Sequence, residues 1–111
     1  MTDTRQVLEE AWEHLCQTSL SFRRYACTTI PGGDGWTMTG KFYRFLDAEA
    51  WTDAAMMLVP EGKCWHIRYD PRLTGATVMD QDGFNQHHTL AETPALAIAQ
   101  AALRAKEAGN V

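Results

Sequence analysis

The stretch that decides the fold is KCWHIRYDPRLTGATVMDQDGFNQHHTL, residues 63–90. Three segments in it, 63–70, 76–81 and 84–90, predict β-strands because apolar and polar side chains alternate or β-branched and aromatic residues recur. The first strand carries Trp65, Ile67 and Tyr69 on one face and Cys64, His66 and Arg68 on the other. The pattern therefore predicts an antiparallel sheet with one packed face and one exposed face.

The Asp82-Gly83 pair predicts a hairpin between the second and third strands, because both positions of a tight two-residue turn need positive φ. A two-residue loop would pair residue 81 with 84, 79 with 86 and 77 with 88. Both faces of this hairpin carry apolar residues. We favour as the core face the one with Met79, Phe84 and Leu90 over the one with Ala76 and Val78.

Two adjacent histidines, His87 and His88, raise the question of a metal site. Neighbouring residues on a strand point to opposite faces, so these two cannot bind the same ion from a regular strand. One of them would join His66 only if the register of the neighbouring strand allowed it. Zinc sites need three or four converging ligands. We therefore expect polar strand residues here, with no metal and no cofactor.

Helices are predicted at 4–17, 47–59 and 95–108, where apolar residues recur at helical spacing. Thr4, Asp47 and Thr93 are the expected N-caps, and Pro94 suits the first position of the last helix, where its missing N–H costs nothing. Pro60 with Gly62, and later Gly109, are expected to end the second and third of these helices.

The segment between the first two helices is harder to assign. Residues 22–30 favour a strand by their aromatic and β-branched content, and residues 36–45 alternate roughly, so the two segments are candidates for a hairpin. The PGGDG sequence at 31–35 separates them and breaks any regular element. Cys16 and Cys27 are expected to be small core residues.

Composition bounds the class of protein. The chain has 111 residues, 45% of them hydrophobic and 22% charged, which predicts a single globular domain over 1–111. Its net charge of −4 disfavours nucleic-acid binding through phosphate neutralisation. Three widely spaced cysteines indicate a reducing compartment. A polar N-terminus and the absence of long apolar runs argue against a signal peptide and a membrane span, so we expect a cytoplasmic protein.

Basic and aromatic residues interleave at two places, which is typical of a small stacking surface for single-stranded nucleic acid. The alternative is a half-buried strand with long cations on its exposed face. Together with three residues of the strand region, these positions form the candidate partner surface: Arg23, Arg24, Lys41, Tyr43, Arg44, His66, Arg68 and His87.

Three short motifs resemble catalytic or ligand-binding sequences, but each lacks a required part. The DQDG sequence at 80–83 is only half of a calcium loop, and the GGDG sequence at 32–35 lacks the Lys and Ser/Thr of a P-loop. Cys64 and His66 share a strand face, but a nucleophile also needs a third, orienting group. A small enzyme would have to combine His66 with His87 or His88 and an acid such as Asp70 or Asp80, and we do not expect one.

The second half of the chain resembles a known family. AEAWTDAAMML at 48–58, a strand pair, and the closing TPALAIAQAALRA at 93–105 are similar to the phage ABA sandwich domain family of small phage and prophage proteins. The resemblance covers roughly residues 43–107, while the first 40 residues depart from the family pattern. It implies a phage or prophage origin and an αββα-type layer, without any established activity or catalytic residues.

These observations predict an α+β two-layer sandwich. We expect an antiparallel sheet of three or more strands, with helices 47–59 and 95–108 on one face and the N-terminal helix at an edge or in the same layer. The expected function is that of a non-enzymatic phage accessory protein in the bacterial cytoplasm, binding a protein partner or a second copy through the uncovered face or an edge strand. A small nucleic-acid-associated protein is the alternative.

Overall fold

The computed structural model describes residues 3–27, 37–59, 63–69, 72–80 and 82–108. It confirms the predicted α+β fold: a three-stranded antiparallel sheet carries a helix on one face. The elements, in chain order, are α1 (Thr4–Thr18), α2 (Leu20–Ala26), α3 (Met38–Asp47), α4 (Trp51–Met56), β1 (Lys63–Tyr69), β2 (Thr74–Asp80), β3 (His87–Ala91) and α5 (Pro94–Glu107).

The sheet has the strand order β1-β2-β3, and its register confirms the predicted pairing of Thr77 with His88. The hairpin loop is longer than predicted, because the Asp80 N–H donates to the Phe84 carbonyl at 2.9 Å. Three residues, not two, therefore lie between the paired positions. Gly83, with φ 86°, supplies the left-handed residue that a three-residue hairpin needs. β3 then begins at His87 rather than at residue 84.

The predicted core face of the hairpin is wrong. Ala76 and Val78 are each 1% exposed and face α5, whereas Phe84 is 69% and Leu90 56% exposed. The reason lies in the partner helix, since small side chains on both surfaces let the helix approach the sheet closely. A face built from Met79, Phe84 and Leu90 would hold the same helix farther away.

α5 is the centre of the molecule. One side contacts the sheet and the other contacts α1 and α4, so eight of its residues are buried: Ala95, Leu96, Ala97, Ile98, Ala99, Ala101, Ala102 and Ala105. The predicted cap is confirmed, because the Thr93 side chain accepts a hydrogen bond from the Leu96 N–H. The Thr89 hydroxyl also donates to the Ala97 carbonyl at 2.6 Å and joins β3 to the helix. The first part of the helix, Ala95 to Ala99, is apolar all round and suits this central position, whereas Gln100 and Arg104 are exposed.

The second predicted helix is divided between two observed ones. Asp47 is the last residue of α3 and not an N-cap, and Glu49 adopts φ 58° in the turn after it. α4 then runs only from Trp51 to Met56, after an Ala50 N-cap without a side-chain hydrogen bond. α4 packs against α5, α3 and α1 rather than directly on the sheet. Its expected end signals, Pro60 and Gly62, lie outside the described residues, as does Gly109.

The predicted strands in the first half of the chain are helices. Residues 22–26 belong to α2, where the Ser19 hydroxyl caps the Phe22 N–H, and residues 38–45 belong to α3, where Thr37 caps Gly40. The capping side chains start a helix, and the buried pairs in each are four residues apart. This helical burial outweighs the strand preference of the aromatic residues. Residues 28–30, the 31–35 loop and Trp36 lie outside the described part of the chain.

Three aromatic rings hold these first helices together. Trp12 stacks on Phe42 with ring centroids 4.3 Å apart and meets the edge of Phe22 at 5.0 Å. The Trp12 indole N–H donates to the Thr39 hydroxyl at 3.3 Å, and that hydroxyl donates to the Ala26 carbonyl at 3.2 Å. The chain of two bonds thus links α1, α3 and the last residue of α2.

Two smaller expectations for the first helices also change. Asp3, not Thr4, caps α1 by accepting from the Gln6 N–H. Cys16 is half-buried, and burial raises the pKa of its thiol, but Cys27 is exposed and is not a core residue.

Candidate binding face of the sheet

The sheet face turned away from α5 is the candidate functional site, and we call it the open face. Its residues are given by the strand register, which alternates them with those that face the helix. They are Cys64, His66, Arg68, Gly75, Thr77, Met79, His88 and Leu90. None of the eight is acidic, although the whole chain has a net charge of −4. The open face therefore differs in charge from the rest of the protein.

A polar row crosses the middle of the open face. Thr77 lies on the central strand with His66 opposite it on one side and His88 on the other. Thr77 Oγ1 lies 2.9 Å from His88 Nδ1, and Thr77 is only 4% exposed between its neighbours. This hydrogen bond holds the His88 ring beside the central strand and engages Nδ1 but not Nε2.

Next to this row is a shallow notch with a volume of about 220 Å³. Arg68, Gly75 and Leu90 lie side by side across the three strands, and the ring of His88 closes a further side. A Cβ at Gly75 would lie 3.0 Å from His88 Cε1 and 3.5 Å from Nε2. The notch exists because the central position has no side chain, and His88 Nε2 lies beside it.

The positive charge of the notch comes from the Arg68 side chain. Among the described residues, the Arg68 guanidinium forms no hydrogen bond or ion pair, whereas Arg5 and Lys63 are both paired with carboxylates. The notch thus combines an unpaired guanidinium and an imidazole with the apolar side chain of Leu90. Such a set provides hydrogen-bond donors for an anion and a surface for a short apolar group.

Exposed apolar side chains are concentrated in the sheet half of the molecule. Five large apolar side chains are exposed among the described residues. Four of them belong to the strands and their loops: Trp65, Leu73, Phe84 and Leu90. Leu20 on α2, which is 68% exposed, is the exception. Of these four, Leu90 lies on the open face, whereas Trp65 pairs with Val78 on the α5 side and Leu73 and Phe84 lie in loops.

The structure does not bring the predicted partner residues together on one surface. His66 and Arg68 lie on the open face, but His87 pairs with Val78 and points to the opposite face. The other predicted residues lie on two helices that contact α1 and α4 rather than the sheet: Arg23 and Arg24 on α2, and Lys41, Tyr43 and Arg44 on α3.

The basic side chains of Arg23 and Lys41 contact other groups within the protein. Arg23 Nε donates to the Cys16 carbonyl at 2.8 Å, and its NH2 group donates to the Gln17 carbonyl at 2.9 Å, so Arg23 caps the end of α1. The Lys41 ammonium lies 5.7 Å from the centroid of the Phe45 ring. These contacts leave Arg23 a structural role at the α1–α2 junction.

The residues of the enzyme alternative are also separated. His66 and His88 share the open face, but Asp80 lies on the other side of the sheet. Lys63 and Asn85 donate hydrogen bonds to the Asp80 carboxylate and lower its pKa, which makes it a weaker base. Asp70 lies outside the described residues. Within the described ranges, no three His, Cys, Asp or Glu side chains are placed to hold a metal ion.

Sequence reasoning missed Gly75 and Leu90 as site residues. The sequence pattern places Gly75 in the turn after β1 and Leu90 in the core. An isolated glycine inside a strand often marks a place where another group approaches the backbone closely. Assigning Gly75 to the strand would therefore have indicated a gap at this position. The predicted pairing of 77 with 88 already places His88 opposite Thr77.

Comparison of the chain with protein-family models, with curated proteins and with solved structures finds no match in any of the three. No helix in the described residues is long and apolar enough to cross a membrane.

Proposed function

We propose that this chain is a non-enzymatic accessory protein of phage or prophage origin that binds a protein partner in the bacterial cytoplasm through the open face. The observation that carries the proposal is the contrast between the two faces of one sheet. One is packed by α5, and no described element covers the other, where Leu90 is 56% exposed. A sheet that leaves an apolar residue and an arginine uncovered has the components of an interface.

The charge of the open face supports a protein partner. Interface centres are depleted in acidic residues and enriched in arginine and in aromatic residues or methionine. The open face has Arg68 and Met79 and no acidic residue. The phage context is supported by the resemblance of residues 43–107 to the ABA sandwich family.

The test is affinity capture from a bacterial host lysate with three versions of the tagged chain: wild type, Leu90→Glu and Leu20→Glu. Leu20→Glu is the matched control, because Leu20 is also an exposed leucine but is the first residue of α2, away from the sheet. We expect one near-stoichiometric protein, resistant to nuclease, that is recovered with wild type and Leu20→Glu and lost with Leu90→Glu.

Two results would contradict the proposal. A partner retained equally by Leu90→Glu and wild type would place the contact elsewhere on the chain. Recovery that disappears after nuclease treatment would favour the nucleic-acid alternative. Light scattering of the purified chain, with the same two variants, tests whether the partner is a second copy.

A further inference from the structure

The notch on the open face contains groups for one particular kind of ligand. Its volume of about 220 Å³ equals that of roughly seven waters at about 30 Å³ each. Pockets for drug-sized ligands start near 300 Å³, so this notch suits a single side chain or a short acid. Its size therefore favours a small group.

The polar lining selects the charge of the ligand. Arg68 is a permanent cation without an internal partner among the described residues, and a guanidinium matches a carboxylate with two parallel N–H···O bonds. His88 adds a second polar group, because its Nδ1 is bonded to Thr77 and its Nε2 is not. Nε2 lies on the Gly75 side of the ring, toward the notch. The positive charge of Arg68 makes the notch suited to an anion.

The remaining lining residue, Leu90, favours a ligand in which the anion is joined to an apolar group. Leu90 lies directly across Gly75 from Arg68 in the strand register, and its side chain is more than half exposed. A ligand held by Arg68 and lying over Gly75 places its next carbons against Leu90. Contact with those carbons would remove apolar surface of Leu90 from water, which favours binding.

We propose that the notch formed by Arg68, Gly75, His88 and Leu90 binds a carboxylate joined to a short apolar group, supplied by an acidic residue of the partner protein next to an aliphatic one. This inference rests on the proposed protein-binding function and names the part of the partner that the open face recognises. The carboxylate binds the Arg68 guanidinium over Gly75, beside the His88 ring, and the aliphatic group lies against Leu90.

The experiment is an amide NMR titration of the ¹⁵N-labelled full chain with small probes. Isovalerate carries the proposed anion and apolar group, isovaleramide has the same shape without the charge, and acetate has the charge with almost no apolar part. We expect saturable, millimolar shifts at Gly75 and Leu90 with isovalerate, weaker binding of acetate and no saturation with isovaleramide. Equal binding of isovalerate and isovaleramide, or no saturable shift with isovalerate, would overturn the proposal.

Two variants connect the binding to the notch. Arg68→Gln keeps much of the side chain but removes the charge, and we expect at least a roughly tenfold weaker affinity for isovalerate. Gly75→Ala places a methyl group 3.0 Å from His88 Cε1 and fills the floor, so binding should be lost. Gly40→Ala is the matched control, since its Cβ would find Thr37 Oγ1 at an ordinary 3.7 Å in α3. If Gly75→Ala bound isovalerate as tightly as wild type does, the proposed site would be wrong.

A pair of short peptides separates a partner's side chain from a free acid. Both have blocked ends, one with a central Glu-Leu and the other with Gln-Leu. Preference for the Glu-Leu peptide over both isovalerate and the Gln-Leu peptide supports a protein ligand. Tighter binding of isovalerate than of the Glu-Leu peptide would overturn the protein source. If capture depends on Leu90 but no probe binds the notch, the proposed function stands and this inference fails.

Discussion

The two faces of the sheet are made by the same three strands, yet they differ in almost every property. The face toward α5 carries small buried residues such as Ala76 and Val78, whereas the open face carries two histidines, Arg68 and an exposed Leu90. The packed face fits the closely approaching, Ala-rich helix, and the open face retains polar groups without a covering element among the described residues. The difference indicates that α5 stabilises the sheet through one face, and the partner contact that we propose uses the other.

The largest expected effect comes from placing an aspartate on each face in turn. Val78→Asp would bury a charge without a partner at a position that is 1% exposed, and we expect a loss of about 3 kcal/mol or more in the free energy of unfolding. Leu90→Asp has the same poor strand propensity but remains exposed, so its cost should be within about 1 kcal/mol. Urea denaturation followed by circular dichroism measures both. Equal losses would mean that the face assignment is wrong.

A medium effect is expected from enlarging a small residue of α5. Ala101 is fully buried, so Ala101→Leu should overpack the centre of the molecule and cost about 1–3 kcal/mol in the free energy of unfolding. The neighbouring exposed residue provides the control, and Gln100→Leu should change stability by less than about 0.5 kcal/mol. Thermal or urea unfolding of the pair checks the expectation. A neutral Ala101→Leu would show that α5 has more room than its burial indicates.

The smallest effect concerns the charged pair at the hairpin end of the sheet. Hydrogen bonds from Lys63 and Asn85 lower the pKa of Asp80 below its ordinary value of 3.8. The ionised side chain thus stabilises the fold above that value, and the contribution is lost as the pH falls through the lower folded pKa. Asp80→Asn should therefore lower the melting temperature slightly near neutral pH and have no such effect in strong acid.

Melting curves of wild type and Asp80→Asn across the acid range test this sign. Glu92→Gln is a suitable control, because it removes one negative charge from an exposed position next to β3. A difference between wild type and Asp80→Asn that grows as the pH falls would contradict the expectation.

The sheet half was predictable because its signals are local. Alternation correctly predicted β1, and the turn residues predicted a hairpin that pairs Thr77 with His88. Thr93 and Pro94 correctly predicted the start of α5. His66 and Arg68 were correctly assigned to one strand face for the same reason. The site was only partly predictable, since the notch requires three strands side by side and its floor is an absent side chain at Gly75.

The errors occurred where local preference and tertiary packing disagree. Aromatic residues favoured strands in 22–30 and 36–45, but Phe22 and Phe42 are buried against Trp12 on helices. The capping residues Ser19 and Thr37 were the available signal, but serine and threonine are common residues that cap a helix only where the next few residues can form one.

Local sequence accounts for the α+β class, the strand alternation and the final helix, because period-two patterns, turn residues and helix caps act over a few neighbouring residues. Tertiary structure alone decided which face of the sheet is buried. That choice depends on how closely α5 can approach, and a helix lined with alanine packs against Ala76 and Val78 rather than against Leu90. The open face, with Arg68 beside the gap at Gly75, is the consequence of that packing.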